Sequence, residues 1–321
     1  MKKLNKKILA LSAAALCGLT WAPAHAEGLK LVPAAKAVHA TQAELLGTAQ
    51  AGSRVLAVGV HGIVLLSDDG GKQWRQAQAV PVDCTLTSVS FTDAQHGWIA
   101  GHWGVVLATS DGGEHWRVQR SATGEDRPLF AIHMNDAQHG VAVGLWSLVL
   151  RTTDGGQHWD EVKLAPPAGS SKADLNLLGL FATAGGTLYA TAERGMVLRS
   201  GDQGETWTYL NTGYAGSLWT GVAPSDGVLL VAGLRGSLYR SVDAGRSWTR
   251  VDTGSQASIT AMAAHGQEVA AVGLDGLQLQ SKDAGASFKT SVRPDHLPLT
   301  GVERLPDGRA LLVSRAGVVN P

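Results

Sequence analysis

The phrase Ser67-x-Asp69-x-Gly71-x-x-Trp74 recurs five more times in this chain, at Thr109 to Trp116, Thr152 to Trp159, Ser200 to Trp207, Ser241 to Trp248 and Ser281 to Phe288. The final aromatics are 42, 43, 48, 41 and 40 residues apart. A period near forty residues marks a circular or stacked array in which each unit buries its apolar face against the next. Every interval also holds three short runs rich in apolar and β-branched residues, then the phrase, then a fourth run, as in LTSVSFTDAQHGWIAGHWGVVLATSDGGEHWRVQR. Four short strands per repeat is one blade of a β-propeller.

Within a blade the phrase falls between the third and fourth strands, where the chain must reverse. The Ser or Thr hydroxyl and the aspartate suit hydrogen bonds to backbone groups across a tight turn, and the glycine suits a positive φ. The aromatic suits folding back as a plug between strands. These are the features of the Asp-box, or BNR repeat, here built on Asp69 and Trp74, Asp111 and Trp116, Asp154 and Trp159, Asp202 and Trp207, Asp243 and Trp248, and Asp283 and Phe288. Each aspartate is expected to serve its own hairpin, with no catalytic or metal-binding duty, so the box identifies an architecture and leaves the activity open.

Six boxes mark six blades, at 45–78, 84–120, 128–163, 176–210, 217–251 and 258–290. Residues 298–321 carry three further strand-like runs and no box. The sequence therefore predicts an all-β, seven-bladed β-propeller, with residues 28–34 (GLKLVPA) supplying the fourth strand of the last blade. The domain is expected to span 27–321 as one ring.

The first 26 residues hold four lysines, an apolar run from Ile8 to Leu19 and an Ala24-His25-Ala26 ending. That pattern predicts a signal peptide cleaved after Ala26 and a periplasmic or secreted protein. No later run approaches the length of a membrane-spanning helix. The remaining chain has 23 basic and 27 acidic side chains, a net charge of −4, which gives no electrostatic reason to expect nucleic acid. It also has one cysteine, Cys84, so no intrachain disulfide is expected. His96 and His139 repeat within DAQHG, and His115 and His158 within boxes; repetition accounts for them better than metal coordination, and no metal or other cofactor is expected.

Functional side chains are sought where the repeat breaks. The turn from second to third strand keeps the frame Gly-x-x-Gly or a close variant (GVHG, GHWG, GLWS, AERG, GLRG, GLDG, SRAG). Its inner positions vary: His61, His102 with Trp103, Trp146, Glu193 with Arg194, Arg235, Asp275, and Arg315 with Ala316. In a propeller these turns return to one rim, where aromatics beside arginines are common anchors of interfaces. Phe130 and Trp219 stand near the start of first strands where Thr87, Thr260 and Thr300 stand elsewhere, and are candidates for lining the channel mouth. Trp98, in a second strand, is expected to pack between blades.

The leader, the seven blades and repeats such as AGHWGVVLATSDGGEHW and VGLRGSLYRSVDAGRSW resemble the photosystem II assembly and stability factor family. That resemblance implies a non-enzymatic accessory protein, monomeric and not membrane-spanning, that binds a membrane protein or its assembly intermediate. In a non-photosynthetic bacterium the client would be a transporter or envelope complex. It also implies contact through an arginine patch, for which Arg194, Arg235 and Arg315 are the matching positions, although Trp103, Trp146, Asp275 and His61 share that rim. The other reading of an Asp-box propeller is a glycan-binding protein or a sialidase-like glycosidase. A sialidase would call on the three rim arginines and a tyrosine, but Tyr189 and Tyr239 lie within strands; for a two-carboxylate glucanase the rim offers the pair Glu193 and Asp275.

Overall fold

The computed structural model describes residues 30–125 and 127–319. They form seven antiparallel sheets, each meandering outward in chain order: six of four strands and a last of three. The first blade comprises Leu45–Ala51, Arg54–Gly59, Val64–Ser67 and Arg75–Gln76; the last comprises Leu299–Arg304, Ala310–Ser314 and Gly317–Val319. The blades between span 86–120, 129–161, 177–211, 218–250 and 259–292. The seven-bladed propeller is as the repeat predicts. The leader and its cleavage point lie outside the described residues.

Alternation explains the layering. Second strands such as Arg54–Gly59, Gly97–Gly101 and Gly140–Gly144 are buried almost end to end, because both their faces meet neighbouring blades. First strands are half-buried, with one face on the central channel. Each Leu, Ile or Val buried between blades contributes roughly 1.5 to 3 kcal/mol. Trp98 is one of these inter-blade residues: it is buried, and its Nε1 donates to Gly155 O of the next blade at 3.1 Å.

The ring closes at the first strands of blades 7 and 1, which lie side by side. Thr300 Oγ1 donates to Leu45 O at 2.5 Å, and Gln50 Nε2 donates to Glu303 Oε1 at 2.9 Å and to Arg304 O at 2.7 Å. The fourth strand expected from residues 28–34 is not formed over its described part. Residues 30–37 carry no strand, and Ala34 donates its N–H to Val80 O at 3.0 Å. The physical reason is apolar: Leu31 and Ala34 pack into the cluster that includes Val80, Val82 and Cys84 between blades 1 and 2.

The Asp-box is a closed local network. Ser67 Oγ donates to Asp69 Oδ1 at 2.9 Å and accepts the Gly71 N–H at 2.8 Å. Asp69 Oδ1 accepts the N–H groups of Lys72 and Gln73 at 3.0 and 2.9 Å, while Trp74 Nε1 donates to Gly71 O at 3.0 Å. The same bonds from Ser or Thr to Asp, and from the glycine N–H to Ser or Thr, recur in the other five boxes. In each box one carboxylate oxygen, Oδ1, is thus committed to its own hairpin, in agreement with a structural role.

Candidate functional site

The second-to-third-strand turns lie at one end of the ring and the boxes at the other, where Gly112 of a box bonds the first-to-second-strand turn at Gln95. The frame Gly-x-x-Gly has a steric cause at both ends. A Cβ on Gly59 would stand 2.0 Å from Glu44 O, whose carbonyl accepts the N–H of Val60 at 3.1 Å. A Cβ on Gly62 would stand 2.0 Å from Val82 O, and Gly62 has φ +66°. The chain entering the first strand and the chain leaving the fourth thus clamp the turn from two sides, and only the residues between are free to project.

The third residue of the first six turns occupies the left-handed region. His61, Trp103, Trp146, Arg194, Arg235 and Asp275 have φ between 53° and 59°. This conformation costs an L-residue roughly 1 to 2 kcal/mol. The box contains a comparable left-handed position, and there glycine fills three of six copies (Gly70, Gly112, Gly155) beside Gln203, Ala244 and Ala284. On the rim no copy is glycine, although glycine would fit at every one. Strain held at side chains of contrasting chemistry points to use of the side chains.

The seventh turn departs from the others. Ser314 pairs directly with Gly317, and Ala316 is not left-handed. Ser314 stands where most frames have glycine, and its Oγ accepts the Ala316 N–H at 3.1 Å while donating to Gly317 O at 2.9 Å, which tightens the hairpin.

Around the rim, Trp146, Arg194 and Arg235 project from three successive blades. Trp146 is 57% exposed, and Arg194 has a side chain 61% exposed with only Asp174 nearby at 3.7 Å. Arg235 is exposed and has no ion pair among the described residues. Arg315 is 65% exposed and reaches Glu44 at 3.4 Å. His61 is exposed, whereas His102 and Trp103 are half-buried, Trp103 resting on the cluster around Cys84. Asp275 is engaged by His296, Oδ1 to Nδ1 2.8 Å. Glu193 is likewise engaged, holding the N–H and the side-chain amide of Asn176 at 3.1 Å each. Both carboxylates of this pair are therefore committed to local structure.

Phe130 and Trp219 prove to be bulge residues. In every blade the first strand skips one residue in its pairing near the rim, as between Leu129 and Ala131 opposite Gly144 and Val143, or between Leu218 and Thr220 opposite Gly233 and Ala232. In three blades the skipped residue is threonine, and its hydroxyl stitches the ring: Thr87 and Thr260 donate to Leu129 O and Leu299 O at 2.8 Å. Phe130 and Trp219 make no such bond and stand half-buried at the same level. A bulge re-aims a side chain, here at the rim end of the channel.

Sequence reasoning missed the residues that hold the strained turns. Trp146 N–H donates to Asn176 Oδ1 and Arg235 N–H to Ser258 Oγ, both at 3.1 Å. Each partner immediately precedes the first strand of the next blade. A polar residue at that place in the repeat was the available signal.

A closed ring of seven blades, six of them carrying an Asp-box, with strained and chemically varied turns along one rim, defines an Asp-box β-propeller. The chain belongs to the family described as photosynthesis system II assembly factor YCF48, whose model matches residues 72–263. No curated protein sequence matches it. Among solved structures it is similar to a YCF48 bound to a D1 peptide, at 20% identity and TM-score 0.70, covering 88% of this chain and 95% of that one. It is also similar to YCF48 from Cyanidioschyzon merolae at 16% identity and TM-score 0.68, covering 91% and 98%. U3-55K shares the fold at 11% identity and TM-score 0.64, covering 86% and 89%.

Proposed function

We propose that this protein is a non-enzymatic scaffold of the extracytoplasmic side that holds a segment of a membrane protein, or of its assembly intermediate, on the rim of strained turns. The observation that carries this reading is the set of six left-handed rim residues, none of them glycine, among which Trp146, Arg194 and Arg235 project from successive blades. An exposed tryptophan followed by arginines on the next two blades supplies an apolar anchor and donors for carboxylates or backbone carbonyls, the composition of interface hot spots. Family membership and the likeness to a YCF48 that binds a D1 peptide support a polypeptide client. The lysine-rich, apolar leader supports the compartment. The engagement of Glu193 by Asn176 and of Asp275 by His296 argues against a glycosidase.

The test is a quadruple variant, Trp103→Ala, Trp146→Ala, Arg194→Ala and Arg235→Ala, compared with wild type by crosslinking in native envelopes and mass spectrometry. The ring is expected to stay folded, with an unfolding temperature lowered by the packing that Trp103 loses on the cluster around Cys84, while the crosslink to one membrane protein disappears. Undiminished crosslinking to the same protein would assign the contact to another face.

A further inference from the structure

We infer that the open flank of the seventh blade is a second binding site, which takes an extended acidic segment of a partner polypeptide as the missing fourth strand. The strand leaves the seventh rim turn at Gly317, but its cavity lies towards the box of blade 1, away from Trp146, Arg194 and Arg235, so this site stands whether or not those rim residues bind a client.

The third strands of blades 1, 3 and 5 pass a carbonyl outward to a fourth strand, Val64 O to Ala77 N–H, Val149 O to Val162 N–H and Leu238 O to Val251 N–H. Gly317–Val319 is the outermost strand of its sheet among the described residues. The N-terminal segment from Lys30 is tied to blade 1 through Ala34 and Val80 and covers only the rim end of this edge, where Thr41 lies against Gly317; among the described residues no backbone bond from it reaches Val318 or Val319. Beside this edge lies a cavity of about 370 Å³, bounded by blade 6, blade 7 and the box of blade 1. Its floor includes Leu312 and Val319, and its walls carry Lys72, Arg293, Arg304 and Arg309.

Charge selects the occupant. Among the described residues no carboxylate lines the cavity. Arg293, Arg304 and Arg309 have acidic partners, Asp295, Glu268 and Asp307, all outside the lining; Lys72 has none among the described residues. The Nε of Arg304 is buried without a hydrogen-bond acceptor. A strand with alternating apolar and acidic residues would cover Leu312 and Val319 with one set of side chains and present carboxylates to the cations with the other. Backbone pairing to an open edge supplies affinity, and alternating pockets supply selectivity.

The probes are two short synthetic peptides of alternating valine with glutamate or with lysine, titrated calorimetrically against the full chain, with hydrogen exchange read on Gly317–Val319. The glutamate peptide is expected to bind, to slow exchange in that strand, and to weaken about tenfold with the double variant Lys72→Glu and Arg309→Glu. Trp146→Ala is expected to leave this binding unchanged, which separates the site from the rim. Equal binding of the lysine peptide, protection confined to the rim turns, or a self-paired dimer that protects Gly317–Val319 would overturn the inference.

Discussion

Asn176 accepts the N–H of Trp146 through its Oδ1 at 3.1 Å, and this one bond joins the rim of the third blade to the first strand of the fourth. The same side chain donates to Glu193 Oε1 at 3.1 Å, so two neighbouring turns share one amide. Asn176→Ala leaves both the Trp146 N–H and the Glu193 carboxylate short of a partner. The expected loss is about 1 to 2 kcal/mol, read as a lower urea midpoint with unchanged slope. Asn176→Asp keeps the acceptor for Trp146 but sets a carboxylate against Glu193, and is expected to destabilise more at pH 7 than at pH 4.

The box aspartates set the acid limit of the ring. The backbone N–H and then the ring of His158 hold Asp154 down to about 2, and the Ser247 hydroxyl and N–H do the same for Asp243, also to about 2. Unfolded, these groups titrate near 3.9. Their folded values are depressed, so their contribution to stability is complete above about pH 4 and is lost as the pH falls through about 2. Thermal unfolding followed from pH 7 to pH 2 is expected to show little change from these groups until about pH 4, then a steep decline. Asp243→Asn, which keeps one acceptor, is expected to show a shallower decline.

The parts of this fold legible in the sequence are those whose interactions close within a few residues. Ser67, Asp69, Gly71 and Trp74 bond one another, so their spacing alone announces the hairpin and, by recurrence, the blades. The rim was legible as the place where the repeat varies, because Gly59 and Gly62 are fixed by close carbonyls while His61 is not. What depends on contacts between blades was hidden. Nothing local in Asn176 or Ser258 states that each caps a strained turn about 23 to 30 residues away. Residues 30–34 read as a strand because their apolar content fits one, but Leu31 and Ala34 find better burial between blades 1 and 2.

Glu303 is a half-buried carboxyl on the channel side of the closing blade, lining a cavity of about 330 Å³ between the first strands of blades 1, 6 and 7. Burial pushes it above the usual glutamate range, against the opposing bond from Gln50 Nε2. Its folded value exceeds the unfolded one, near 4.3, so its neutral form is favoured in the ring. The resulting stability is present below about pH 4 and is lost as the pH rises through the folded value. Glu303→Gln keeps an oxygen for Gln50 and removes the cost of ionisation. The variant is expected to gain stability over wild type at pH 7.5 and to match it at pH 4, as urea midpoints at the two pH values would show.

Arg235 lets backbone strain and side-chain use be separated on the rim. At φ 56° its backbone is strained, and glycine would relieve roughly 1 to 2 kcal/mol. Glycine also gives the unfolded chain more freedom, which takes back about 0.4 to 1 kcal/mol. Arg235→Gly is therefore expected to raise stability by about 0.8 kcal/mol, within a range of about 0 to 1.6 kcal/mol. Arg235→Ala keeps the strain, removes the same guanidinium, and is expected to leave stability near wild type. If the guanidinium serves a client, both variants weaken crosslinking to it equally, the more stable one included. A glycine variant that is more stable and retains full crosslinking would show that this turn is strained for a reason other than binding; calorimetry and crosslinking on the two variants side by side decide the matter.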